Sequence, residues 1–133
     1  MSASRLPILY DADCGFCRWA LGWVLRWDRE RRLRPVALQS PEGESLLEPM
    51  DHDRRLASWH LVDADGTVLS GGTAAPALLR LLPRGQAPAA LVARLPRLTQ
   101  ASYEQVVQRR GTLGRPVTAA AKARADALIA ERA

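Results

Sequence analysis

The chain has one lysine, one phenylalanine, two histidines and two cysteines in 133 residues, and it has no apolar run of membrane-spanning length. Arg18, Arg26, Arg80 and Arg94 interrupt the richest apolar stretches, well short of the roughly 18 residues that a helical span needs, so no membrane span is expected. The opening Met1-Ser2-Ala3-Ser4-Arg5-Leu6-Pro7 lacks the apolar stretch and small-residue cleavage site of a secretory signal, which makes cytoplasmic residence the expectation. Two cysteines exclude a disulfide framework. In a reducing compartment a pair this close in sequence reads as catalytic or metal-binding rather than as a staple. The shortage of lysine is matched by an abundance of arginine and alanine, a pattern of base composition as much as of function, so the net charge of +5 identifies no partner. The densest basic run, Arg29-Glu30-Arg31-Arg32-Leu33-Arg34, contains an acid and no aromatic on which a base could stack; it reads as a solvated helix end, and no nucleic-acid partner is expected.

What the chain does have is 47 % apolar residues, enough for one domain with a core. Residues 6–10 form a short apolar run that reads as a strand, with Pro7 near its start. Residues 16–29 are helical in period, since Phe16, Ala20, Trp23, Val24 and Trp27 recur at three- and four-residue spacings. Residues 33–38 read as a second strand, which tolerates Pro35 only at a sheet edge. Ser40-Pro41-Glu42 supplies an N-cap, a first-turn proline and an acid at the positive end of a short helix running to residue 48. Residues 58–62 and 67–70 flank Asp63-Ala64-Asp65-Gly66, whose Asp-Gly suits a tight antiparallel hairpin. Gly71-Gly72 should then break the strand and Thr73 cap a helix over 74–82, with Pro76 tolerated in its first turn. The sum is an α/β fold, βαβ followed by ββα, with a mixed four-stranded sheet. The domain is expected to span residues 1–133, with a core over about 5–83 and a helical extension over about 84–133. The extension comprises segments at 87–95, 98–110 and 117–133, separated by Pro96, Gly111 and Gly114-Arg115-Pro116.

The cysteines fall where the first strand hands over to the first helix. A thiol does redox chemistry as thiolate, and the unpaired N–H groups and dipole of a helix N-terminus favour that form at Cys14. Arg18, one turn on, adds a positive charge, whereas Asp11 and Asp13 oppose ionisation and could relay protons. The two-residue spacer puts Cys17 one turn deeper, within reach of a mixed disulfide formed at Cys14. Cys14 is then the candidate nucleophile and Cys17 the resolving thiol. Gly15 leaves room for a substrate chain, and Phe16 offers an apolar surface beside the sulfurs. No cofactor is needed. The partners expected are a protein or small-molecule thiol or disulfide and a second redox partner.

The segment Tyr10-Asp11-Ala12-Asp13-Cys14-Gly15-Phe16-Cys17, followed by Leu38-Gln39-Ser40-Pro41-Glu42-Gly43, the hairpin from Val62-Asp63 to Gly71, and Tyr103 to Arg109, resembles the DCC family of predicted thiol-disulfide oxidoreductases. The resemblance covers residues 6–110. It implies a thioredoxin-like fold and matches the family's aspartate and two cysteines to Asp11, Cys14 and Cys17. Proteins of the wider thioredoxin group place a cis-proline just before the third strand; here Arg55-Leu56-Ala57 precedes Ser58, and Pro49 is too far back. Substrate docking through that loop is expected to differ.

Three other readings of the same residues stand beside this one. Cys14, Cys17, His52 and His60 are zinc-compatible ligand types, but the seven residues between the histidines exceed the usual spacing, and His60 lies in an apolar strand. Asp63 and Asp65 look like the nucleophile and acid/base pair of haloacid-dehalogenase-type phosphatases, yet the only lysine is Lys122 and no acid follows Asp65 until Glu104. A non-enzymatic adaptor with a thioredoxin-like shape is the third. The stripe Trp19, Trp23, Trp27 bears on it: the expectation is a core face covered by the carboxy-terminal helices, the alternative an exposed docking surface. Tyr103 and Arg109-Arg110 receive no catalytic role.

Overall fold

The computed structural model describes residues 5–133; residues 1–4, on which the reading of the amino terminus partly rests, lie outside the described residues. The first strand, β1 (Leu6–Tyr10), buries Ile8 on one face of the sheet and Leu9 on the other, which is why its sequence runs apolar without alternation. Ile8 joins a cluster with Leu21, Leu25, Leu33, Leu61 and Ile129, while Leu9 packs with Val36, Leu38, Leu47 and Val62. Helix α1 (Gly15–Trp27) carries the chain across to β2 (Leu33–Ala37), which runs parallel to β1. Next come α2 (Pro41–Leu46), capped by Ser40 through the Gly43 N–H at 3.0 Å, and α3 (His52–Ala57). β3 (His60–Val62) lies antiparallel on the other side of β1, and β4 (Val68–Ser70) pairs antiparallel with β3. The sheet order is β2-β1-β3-β4, a mixed four-stranded α/β arrangement consistent with the thioredoxin-like fold. Pro35 does sit on an edge strand, as its missing N–H requires. The β3–β4 turn is closed by the Asp63 N–H on the Thr67 carbonyl at 2.8 Å, with Gly66 at φ +87°.

Two local expectations fail for identifiable reasons. The strand expected over 58–62 begins only at His60, because Asp51 caps α3 by accepting the Arg54 N–H at 2.8 Å, and the helix occupies the residues before Ser58. Gly71-Gly72 does end the strand, β4 stopping at Ser70, but Thr73 does not cap the helix that follows. Both glycines open α4 (Gly71–Leu81), where they admit a later helix: a Cβ on Gly71 would lie 2.9 Å from the Tyr103 ring, and one on Gly72 would lie 2.9 Å from the Gln100 backbone.

The remaining helices are α5 (Gln86–Arg94), α6 (Pro96–Gln108), α7 (Arg110–Leu113) and α8 (Ala119–Arg132). The expected break at Gly111 is instead a one-turn helix, α7. α5 and α6 pack on α4, and α8 lies along α1. The α1–α8 approach is made by small residues, since a Cβ on Gly22 would come within 2.7 Å of that of Ala125. That packing corrects the expectation for the tryptophans. α8 covers the Gly22 side of α1 and leaves Trp23 54 % and Trp27 39 % exposed, because indoles would hold the helices apart. Trp23 meets Trp19 edge-on at 6.4 Å and takes the Arg26 guanidinium 4.8 Å above its ring; the Trp27 indole N–H donates to the Pro83 carbonyl at 2.8 Å. Among the described residues no helix is long and apolar enough to cross a membrane.

Candidate active site

After β1 the chain turns on Asp11. Its Oδ1 accepts the Asp13 N–H at 2.9 Å and its carbonyl accepts the Cys14 N–H at 3.2 Å, so the turn delivers Cys14 to the N-cap of α1 in extended conformation. There the Cys14 Sγ accepts the Cys17 N–H at 3.3 Å, taking the place that a serine or aspartate oxygen fills in an ordinary cap. Both cysteines are free thiols and partly buried. Cys17 lies in the first turn of α1. Burial, then the hydrogen bond with Cys14 and the Cys14 charge, push its thiol up to about 12, with Asp11 acting in the same sense and Arg110 opposing.

The predicted supporting residues take distinct places. Gln39, beyond β2, holds the turn by accepting the Ala12 N–H at 3.1 Å and donating to Asp11 Oδ1 at 2.8 Å. Asp13 is exposed and marginally within reach of the same amide, at 3.5 Å. Arg18 donates to the Ala12 carbonyl at 2.7 Å and forms an ion pair with Asp126 of α8 at 3.0 Å, so its charge is shared with that carboxylate. The room at Gly15 is filled by Lys122, whose Nζ lies 3.3 Å from where a Gly15 Cβ would stand. Phe16 stacks obliquely on Trp19, with ring centroids 5.8 Å apart.

Opposite the cysteines, the Ser58-Trp59 lead-in to β3 stands where other thioredoxin-like proteins carry the cis-proline, and among the described residues no peptide bond is cis. The Trp59 N–H donates to the Tyr103 hydroxyl at 3.3 Å, and burial raises the Tyr103 pKa. Phe16, Cys17, Trp59, Tyr103 and Arg110 help to line one cavity of about 250 Å³. Sequence reasoning missed Gln39, Tyr103, Arg110 and Lys122 as parts of this site. Gln39 and Tyr103 lay within the segments that carried the family resemblance; Lys122 and Arg110 had no local signal, because only tertiary packing brings them here.

The residues of the rival sites point elsewhere. His60 is 1 % exposed and both ring nitrogens are engaged, Nδ1 with Ser70 Oγ at 2.6 Å and Nε2 with the Arg55 carbonyl at 2.9 Å; burial lowers its pKa. His52 is exposed on α3. Among the described residues no three His, Cys, Asp or Glu side chains are grouped to hold a metal ion. Asp63 and Asp65 spend their carboxylates on the hairpin, accepting the Ala64 and Thr67 N–H groups at 2.7 and 3.0 Å.

No curated protein and no solved structure matches the chain. A family model does match, over residues 8–116, a span that takes in the cysteine turn, the whole sheet after Pro7 and helices α1 to α7, and stops short of α8. The chain therefore belongs to the DCC1-like thiol-disulfide oxidoreductases, a family whose thiol-disulfide redox role agrees with its Cys14-Gly15-Phe16-Cys17 pair.

Proposed function

We propose that the protein catalyses dithiol-disulfide exchange, with Cys14 as nucleophile and Cys17 as resolving thiol. The observation that carries this reading is the asymmetry of the pair: Cys14 Sγ caps α1 by accepting the Cys17 backbone N–H at 3.3 Å, while burial pushes the Cys17 thiol up to about 12. A thiol pushed up to about 12 does not attack first at neutral pH. In the reducing direction, the Cys14 thiolate attacks one sulfur of a substrate disulfide, that S–S bond breaks, and one substrate thiolate leaves. The Cys14 sulfur is now neutral, so two of the influences that held the Cys17 proton are gone. Cys17 then gives up its proton, with Asp11 as the carboxylate whose charge already reaches it, and attacks the Cys14 sulfur. The second substrate thiol is released, two electrons have passed to the substrate, and Cys14–Cys17 is left as a disulfide for a dithiol partner to reduce.

The reading is tested with single variants and a small disulfide such as bis(2-hydroxyethyl) disulfide. Cys14→Ser abolishes turnover, and Cys17→Ser accumulates a mixed disulfide at Cys14 visible as an adduct mass. Full turnover in both variants would falsify the enzymatic reading.

A further inference from the structure

The cavity beside Cys17 is lined mostly by residues that the exchange step just described does not use, and its composition is selective. Its walls are apolar, built by Phe16, Ala20, Val24, Trp59, Leu78 and Val106 from α1, α4, α6 and the lead-in to β3. Cys17, Tyr103, Asp11 and Arg110 are the residues of the lining that carry polar or ionisable groups. Asp11 is already engaged by the Gln39 amide and the Asp13 N–H. Arg110 is different: among the described residues it forms no ion pair, and its charge acts on both Cys17 and Tyr103. A half-buried, unpaired cation facing an apolar cavity is complementary to an anion attached to an apolar body. The size sets the scale of that body. An apolar cavity of roughly 150 Å³ accepts a benzene ring, so about 250 Å³ holds one aromatic or branched aliphatic group with its substituents and little more.

We infer that this cavity is the binding site for small aromatic or branched-aliphatic disulfides that carry a carboxylate, the carboxylate facing Arg110 and the apolar group lying beside Cys17. The inference rests on the dithiol-exchange reading and names its substrate class. For a symmetric disulfide, attack by the Cys14 thiolate breaks the S–S bond and releases one aryl thiolate; the other aryl group stays in the cavity as the mixed disulfide. Cys17 then loses its proton and displaces that second thiolate, so that one disulfide becomes two thiols while the dithiol becomes a disulfide. Seating the apolar group against Cys17 places the mixed disulfide next to the sulfur that must resolve it.

Two measurements separate this inference from the reading beneath it. The first is binding of 2-naphthoate, an aromatic carboxylate without sulfur, to the Cys14→Ser/Cys17→Ser chain, followed by naphthalene fluorescence. One-site saturation is expected, weakened about tenfold by Arg110→Gln and abolished by Ala20→Phe, which fills the cavity; Ala20→Leu, with unchanged circular dichroism, serves if the phenylalanine variant misfolds. The second compares exchange rates of the unmodified protein on 5,5′-dithiobis(2-nitrobenzoate), neutral 4,4′-dithiodipyridine and bis(2-hydroxyethyl) disulfide. Arg110→Gln, which also removes a charge that lowers the Cys17 pKa, slows the first by a larger factor than the two neutral compounds, and Ala20→Leu slows both aromatic compounds by a larger factor than the aliphatic one. Naphthoate binding without exchange on any disulfide would sink the enzymatic reading and leave the site standing. Exchange without naphthoate binding, or with all three compounds slowed alike by the variants, overturns the site and leaves the enzyme.

Discussion

Cys17 owes its raised pKa to influences that differ in permanence. Burial comes first and belongs to the fold; the Cys14 hydrogen bond and charge last only while the Cys14 sulfur is not bonded to another sulfur. A Cys14→Ser variant therefore still shields Cys17, and at pH 8 its alkylation by iodoacetamide should run more than about tenfold slower than that of a free cysteine, whose pKa is near 8.5. A rate equal to free cysteine would show that burial does not control the thiol. The same residue gives stability a sign with pH. Its folded pKa lies above that of a free thiol, so the folded state holds the proton longer; the contribution is whole below the free-thiol value and is lost as pH climbs toward about 12. Tyr10 and Tyr103, also raised by burial, act in the same direction, so Cys17→Ala should flatten the alkaline unfolding slope without removing it. At this scale the sequence was most readable where chemistry is local: Cys14, Cys17 and Asp11 are contiguous with the turn they build. Lys122 and Arg110 were not readable as site residues, because a surface cation looks the same in sequence whether it faces water or a sulfur.

Elements were legible in proportion to how far their own residues determine them. β1, α1 and the β3–β4 hairpin follow from an apolar run, a helical period and an Asp-Gly turn, all local signals. α3 was missed although Asp51 caps it and Asp53 sits in its first turn, because six residues carry too little periodicity to announce a helix. The tryptophan stripe misled for the opposite reason: its period was correct, but the side of α1 that is covered is chosen by its partner, and α8 takes the face where Gly22 meets Ala125. That contact reverses an ordinary expectation. Gly→Ala within an exposed helix gains about 1 kcal/mol, whereas Gly22→Ala sets a methyl 2.7 Å from the Ala125 Cβ and 3.0 Å from its Cα, which no rotamer change relieves. The variant should lose about 1–3 kcal/mol in urea unfolding, and a gain would mean that α8 is free to move off. α8 also brings Lys122 to Gly15, beside the α1 N-cap. A partly exposed charge there is worth roughly 0.3–1 kcal/mol to a thiolate as an ion pair. Lys122→Met should therefore slow Cys14 alkylation at pH 7 by about two- to fivefold, and Lys122→Arg should restore it; equal slowing by both substitutions would point to packing rather than charge.

Across the whole molecule, the helix outside the family-matched span closes the fold. Asp28, at the end of α1, is fully buried, and its carboxylate accepts the Arg32 and Leu33 N–H groups at 3.0 and 2.9 Å where the chain enters β2. Its countercharge comes from the other end of the chain: Arg132, in the last turn of α8, donates to the Asp28 carbonyl at 2.9 Å and lies 3.8 Å from the carboxylate. One turn earlier Ile129 enters the same cluster as Ile8, Leu25 and Leu33. Ending the chain at residue 116 would expose that cluster, forfeiting about 1.5–3 kcal/mol for Ile129, and would strip a buried carboxylate of its cation at a cost of about 3–5 kcal/mol. Against a typical total of roughly 5–15 kcal/mol, the truncated chain should unfold at a markedly lower urea midpoint or fail to fold. Should it fail to fold, the loss is still measurable in full-length Arg132→Met, which removes the countercharge but keeps α8 and should by itself cost about 3–5 kcal/mol. An unchanged midpoint in both would make α8 an appendage; a fall in both makes residues 1–133 one cooperative domain, in which the last helix supports the strand-helix junction that carries the cysteines.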